Sequence, residues 1–341
     1  MADITLLRKI GVAALAFAGV VMLHSCERIF DYEGDCSVNY LVDFSYDMNM
    51  KYADAFASES HKVMLYAFDQ DGALVWQKTE EGECLAEENY AMRLDLQPGT
   101  YDLVAWSVCD IADECFSFPL TKSSVFTKND LICELERRSG TDGKDYSDRH
   151  LGSLLHGCIE DLEIGQTEGI YVSKMHMTKN TNQVRVVLQN LSGKELKKDN
   201  YHFSITESNG RMAWDNSLLQ CQDICYQPWR KDSGMIGEPG QSGAVTAASA
   251  VIAEMTLSRL MADRKTRLEV TDDKGDTVIS IPLVDYALLI KGHYEKMTDQ
   301  EYLDRQDVYE MVFFLDADLD WVSTHIFINS WKVVLSDVDL D

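Results

Sequence analysis

Cys26 offers the most definite chemistry in this 341-residue chain, a thiol placed where a leader would be cut and acyl chains attached. Arg8 and Lys9 give a positive start, Ile10 to Leu23 an apolar run, and Leu23-His24-Ser25-Cys26 a processing site. The run, about fourteen residues, is shorter than the roughly twenty that a spanning helix needs. Residues 1–25 are therefore expected to be a lipoprotein signal peptide, with Cys26 the first mature residue and the point of lipid attachment. Each buried methylene of an acyl chain contributes about 0.8 kcal/mol, so one chain holds weakly and two or more hold firmly. His24 and Asp3 depart from the usual pattern; an uncleaved amphipathic anchor or an ordinary secreted protein are the plainer readings.

Other reactive side chains group less specifically. Asp316, Asp318 and Asp320 alternate along the chain and would suit a hard cation, but they lack the glycine and distant glutamate of a calcium loop, so a solvated turn is the expectation. His150, His156 and Cys158 are types that zinc accepts, yet their spacing fits no zinc pattern and no fourth ligand is evident. No metal and no cofactor are expected. Apart from Cys26, the cysteines stand at 36, 84, 109, 115, 133, 158, 221 and 225, an even set that permits oxidised staples or, equally, buried thiols. Cys221 with Cys225, and Cys109 with Cys115, are near enough in sequence for local bridges. No Gly-x-Ser-x-Gly elbow, phosphate loop or His-Glu-x-x-His helix occurs, so the chain is not read as an enzyme. Its six tryptophans would make a sugar platform only if exposed; most in such a fold are core.

A formal net charge of −26 repels phosphate backbones and anionic headgroups, which excludes nucleic acid as a partner and electrostatic docking to a membrane. With 45% hydrophobic and 10% aromatic residues, the chain buries ample cores and its length suggests two domains.

The elements that position these residues read as strands. Val38, Tyr40, Val42, Phe44 and Tyr46 alternate; Lys62 to Asp69 is apolar on both sides and ends in the turn Asp69-Gln70-Asp71-Gly72, which leads into Ala73 to Gln77. Tyr90 to Leu96 alternates, and Pro98-Gly99 leads into the nearly all-apolar Tyr101 to Val108. Leu131, Cys133 and Leu135 favour a strand, 137–149 a surface loop, and Leu151 to Gly157 a short apolar element. A polar stretch at 160–172 suggests the domain boundary. Val184 to Leu188, Phe203 to Ile205, Val251 to Leu260, Leu268 to Val270, Thr277 to Leu283, Tyr309 to Leu315, His325 to Asn329 and Trp331 to Leu335 continue the pattern. Asp285 to Glu295 has helical spacing with Asp285 as N-cap. The economical reading is two β-sandwiches in series, 26–165 and 166–341, after the signal peptide 1–25.

Several stretches resemble the FimB-like fimbrial anchor subunits of Bacteroidota, the lipoproteins at the base of type V pili. They are Asp31 to Cys36, Val42-Asp43-Phe44, Asp47 to Met50, Tyr52 to Phe56, Leu96 to Tyr101 with Val104-Ala105-Trp106, Met177 to Asn182, Met255 to Leu260, Gln300 to Arg305 and Trp331. The resemblance spans most of the chain and is weakest across 110–170. It implies an all-β protein of two tandem transthyretin-like β-sandwich domains with few short helices, anchored in the outer membrane through Cys26. It also implies a role in tethering a fimbrial shaft at the cell surface and limiting its length, with a fimbrillin-like shaft subunit as partner and no catalysis. In such pili a sheet edge is completed by a neighbour's strand. The C-terminal segment, with Trp331, Val333 and Leu335, is the expected contact, because a chain end leaves its own sheet at less topological cost than an internal strand. A surface glycan-binding lipoprotein is the alternative.

Overall fold

The computed structural model describes residues 38–87, 89–119, 126–190, 192–238, 246–294, 296–323 and 325–334, with backbone alone for 236–238, 246–247, 293 and 325. The chain divides into a small unit, Met1–Asn39 with Gln166–Tyr171, and a large one, Tyr40–Gly165 with Val172–Asp341. Of the small unit, Val38, Asn39 and the segment 166–171 are described; Gly169 there takes a φ of 103° and Ile170 is 70% exposed. All that follows concerns the large unit. It is all-β with few short helices, as expected.

A five-stranded antiparallel sheet runs Thr178–Lys179, Leu154–Ile164, Gly99–Val108, Lys62–Phe68, Leu74–Glu81. Both alternating sets of its central strands are buried, which is why Lys62 to Asp69 reads as apolar on two sides. Met64, Tyr66, Phe68, Val104 and Trp106 belong to a large apolar cluster that continues into the second half of the chain; Val63, Leu65, Ala67, Leu103 and Ala105 are buried outside it. Tyr40, Leu41 and Val42 pair in antiparallel register with Leu94, Arg93 and Met92, and Phe44, Phe56 and Tyr90 stack at 5.4 to 6.4 Å between centroids.

Two six-stranded sheets follow. One runs Arg230–Glu238, Thr246–Ser258, Thr181–Asn190, Val308–Leu315, His325–Ile328, Trp331–Val334, and its one parallel contact joins Thr181–Asn190 to Val308–Leu315. The other runs Thr277–Pro282, Arg267–Asp272, Tyr201–Glu207, Ile224–Tyr226, Asp145–Ser147, Arg138–Ser139. Val184, Val186, Leu188, Tyr309, Met311 and Phe313 of the first share one cluster with Phe203, Ile205, Leu268, Val270 and Ile279 of the second, each residue buried at alternate positions. A further, three-stranded sheet joins Phe116–Ser117 and Cys133–Leu135 to Arg211–Met212.

Local pattern and structure part at four places. Residues 137–149, expected as a loop, hold Arg138–Ser139 and Asp145–Ser147, the latter in parallel register with Ile224–Tyr226. A partner so distant in sequence leaves no local periodicity. The polar stretch after Gly157 is no linker in its first part: the strand Leu154–Ile164 carries Glu160, Asp161 and Glu163 along Gly99–Leu103, with a bulge at which Asp161 has a φ of 55°. The helix expected from Asp285 instead spans Leu283–Leu288, with Pro282 at its N-cap, and a single 3-10 turn follows at Lys291–Tyr294. Asp299–Arg305 is a helix that apolar spacing does not reveal, although Thr298 and Glu301 spell its start: Glu301 N donates to Thr298 Oγ1 at 3.1 Å.

Candidate functional site: a sheet margin and a polar junction

The C-terminal margin is a two-residue hairpin. Ile328 pairs with Trp331 and His325 with Val334 across Asn329 and Ser330, whose φ angles of 49° and 71° are those of a type I′ turn. Asn329 earns its place twice, since its N–H donates to Glu310 O at 2.8 Å and its Oδ1 accepts from Glu310 N at 2.7 Å. The hairpin is thereby pinned to Val308–Leu315, and Phe314 and Phe327 meet edge to face at 5.8 Å.

Among the described residues Trp331–Val334 forms the margin of its sheet. Trp331 is 49% and Val334 67% exposed, whereas Val333 is partly buried and packs on the core. Leu335 and Cys26 lie outside the described residues. Val334 was not signalled by the alternation Trp331, Val333, Leu335, since it stands on the other face.

Some of the stretches that carry the family resemblance meet elsewhere in the large unit. Arg259 grips Asp304 with two hydrogen bonds, Nε to Oδ1 at 2.8 Å and Nη2 to Oδ2 at 2.7 Å, and donates Nη1 to Asn216 O at 2.7 Å. Asn216 and Asn180 exchange side-chain amide bonds at 2.6 and 3.2 Å. Asn182 donates to Gln306 O and accepts from Leu260 N. Arg305 reaches across to the carbonyls of Asp47 and Asn49 and lies 4.7 Å from the Tyr52 ring centroid. Tyr46 donates its hydroxyl to Asp307 at 2.8 Å, and Lys179 sits 3.2 Å from Glu59 and 3.6 Å from Asp307. Burial, opposed by Lys179 and Tyr46, holds the Asp307 carboxyl above its ordinary range; burial and Asp307 push the Tyr46 phenol up. These polar residues therefore tie strands, loop and helix together. Glu59, Asp307 and Asn216 were not signalled by sequence, for each is one acid or amide among many until the fold brings it to the junction.

The remaining candidates resolve as structure. Asp316 Oδ1 accepts from the N–H groups of Asp318 and Asp320 at 2.9 and 3.0 Å, so the aspartate run makes a turn. His156 is 4% exposed, meets Trp214 O at 2.7 Å through Nε2 and has its pKa lowered by burial to about 4. No group of three or more metal-ligating side chains occurs among the described residues. Seven cysteines, at 84, 109, 115, 133, 158, 221 and 225, are free thiols, which leaves both suggested local bridges unformed; Cys36 lies outside the described residues. Trp106 is fully buried, Trp214 is capped by Lys128 at 4.3 Å, and Trp321 meets Phe313 edge to face.

Comparison with known proteins places this arrangement. Over 327 residues the chain is 22% identical to the minor fimbrium anchoring subunit Mfa2 of Porphyromonas gingivalis, covering 93% of this chain and 92% of that protein. The crystal structure of a putative adhesin from Bacteroides thetaiotaomicron matches with a TM-score of 0.76 at 32% identity, over 89% of this chain and 100% of that one. A second structure from that organism, described as putative polysaccharide binding proteins, matches with a TM-score of 0.73 at 30% identity over 88% and 99%. The P. gingivalis fimbrial anchor protein Mfa2 shares the fold with a TM-score of 0.66 at 18% identity, over 88% of this chain and 100% of that one. The family model of the fimbrillin-A associated anchor proteins Mfa1 and Mfa2 matches residues 32–337, and the chain belongs to that family of fimbrial anchors.

Proposed function

We propose that this protein is the basal, lipid-anchored subunit of a type V fimbrium, held in the outer membrane by acylated Cys26 after removal of residues 1–25. It tethers the first fimbrillin-like shaft subunit and limits the length of the fibre. The coupling is β-strand complementation at the C-terminal margin, through Trp331 and Val333 of the strand and, by the sequence pattern, Leu335. The observation that carries this reading is the place of Trp331–Val334: among the described residues it is a strand at the margin of a six-stranded sheet, joined to its neighbour by a two-residue turn, with Val334 67% exposed. Support comes also from the family and from the minor fimbrium anchoring subunit that the chain resembles along almost its full length. We place the two sandwich domains at 26–165 and 166–341, with the strands between 116 and 147 lent by the first to sheets of the second.

Pull-down of sheared surface fibres with the full chain and with a chain lacking residues 331–341 tests the contact. Retention of fibres by the shortened, folded protein defeats it. A surface glycan-binding role is the competing reading. Among the described residues Trp331 is the one tryptophan more than a third exposed, so paired exposed rings do not offer a sugar platform.

A further inference from the structure

The polar groups around Lys179 are placed to react with one another. Lys179 closes the short strand Thr178–Lys179 of the five-stranded sheet, and Asp307 stands immediately before Val308–Leu315 of a six-stranded one. Lys179 Nζ lies 3.6 Å from Asp307 Oδ2 and 3.2 Å from Glu59 Oε2, and its side chain is 14% exposed. Both carboxyl groups are held from behind: Tyr46 donates its hydroxyl to Asp307 Oδ1 at 2.8 Å, and Ser153 donates to Glu59 Oε2. The Asp307 main chain is fixed as well, since its carbonyl accepts from Gln183 N at 2.8 Å.

One amine thus faces two carboxyl groups of different character. Burial favours the neutral form of Asp307, the form in which a carboxyl carbon accepts an amine. Burial and Asp307 push the Tyr46 phenol up, so it stays a donor to the oxygen on which charge would collect. A cavity of about 250 Å³ adjoins Glu59, Lys179 and Asp307 and has room for a departing water.

We infer that Lys179 and Asp307 become joined by an amide bond between their side chains, with Glu59 as the proton carrier. Lys179 passes a proton to Glu59, and the freed lone pair bonds to Asp307 Cγ. Glu59 returns that proton to the Oδ2 hydroxyl, the Cγ–Oδ2 bond breaks, and water leaves. The second amine proton passes to Glu59 and on to solvent, so an amine and an acid give an amide and one water without any outside reactant. Holding the two groups together raises their effective concentration far above any attainable in solution, which favours the condensation. The residues between 179 and 307 then lie off the line of force from an N-terminal lipid to the C-terminal hairpin. That consequence rests on the tethering reading; the bond itself does not.

Trypsin digestion of the folded full chain, followed by mass spectrometry, tests it. Trypsin does not cut after an acylated lysine, so peptide 175–185 is expected joined to 306–332, with a mass one water below their sum. Glu59→Gln should lower the yield of that branched peptide about tenfold or more and release 180–185 in its place. Asp307→Ala and Lys179→Arg should abolish it, and Asp273→Asn, in an exposed hairpin turn, should leave it as it was. Circular dichroism reports which variants are folded. Absence of the branched peptide from the folded parent, attachment at any other residue, or a parental yield in folded Glu59→Gln overturns the assignment. The digest reads the bond alone, so its failure leaves the tethering reading as it stands.

Discussion

Arg259 and Asp304 face one another through two parallel hydrogen bonds of 2.8 and 2.7 Å, each side chain 12% exposed. One belongs to the end of Thr246–Ser258 and its exit, the other to the helix Asp299–Arg305. Gln300 reinforces the pair, donating to Asp304 Oδ1 at 2.9 Å and to Leu260 O at 3.1 Å. The pair orients the helix whose last residue, Arg305, reaches the carbonyls of Asp47 and Asn49 in the loop after Val38–Ser45.

Breaking that pair strands a buried charge. Asp304→Ala is expected to lower unfolding free energy by about 3–5 kcal/mol, and Arg259→Lys, which keeps the charge but loses the planar fork, by less. Urea denaturation followed by tryptophan fluorescence measures both. If Arg259→Lys costs as much as Asp304→Ala, the two-pronged geometry is not what matters.

His156 makes the fold acid-sensitive. Its folded pKa of about 4 lies below the ordinary 6.5, because burial disfavours the imidazolium. Below pH 6.5 the unfolded chain takes up a proton that the folded one refuses, so the contribution is complete above 6.5 and is lost as pH falls toward 4. The full effect is on the order of 3 kcal/mol. Stability curves at pH 7 and pH 4.5 should converge markedly in His156→Gln relative to the parent. An unchanged pH slope in the variant would exclude His156 as the source.

Asn329 carries the marginal hairpin. A β-branched residue tolerates a φ of 49° poorly, and the Glu310 N–H would lose its acceptor. Asn329→Val is expected to cost about 2 kcal/mol, and Asn329→Asp much less. Hydrogen exchange should show faster opening confined to 325–334. With fibres retained by this margin, capture should fall in the same order as hairpin protection.

Cys26→Ala separates anchor from body. Labelled fatty acid should enter the parent and not the variant, and the variant should leave the membrane fraction while keeping its circular dichroism spectrum. Labelling that persists in Cys26→Ala would refute lipidation at this thiol.

The sequence alone determined the class of fold, because alternation at Tyr40, Val42 and Phe44, or at Val184, Val186 and Leu188, follows from the period of a strand with one buried face. It determined the turn at Asp69 to Gly72 as well, where Asp69 accepts local N–H groups and Gly72 supplies a positive φ. Family membership was legible for a related reason: its motifs are strings of neighbouring residues. Which strand pairs with which was decided only by tertiary structure. Asp145–Ser147 and Ile224–Tyr226 are too far apart in sequence for either to predict the other, and a register of three pairs writes no period of its own. The junction was decided there too. Lys179, Glu59 and Asp307 come from three separate segments, and carboxylates are so abundant in this chain that only a fold placing two beside one partly buried ammonium sets them apart.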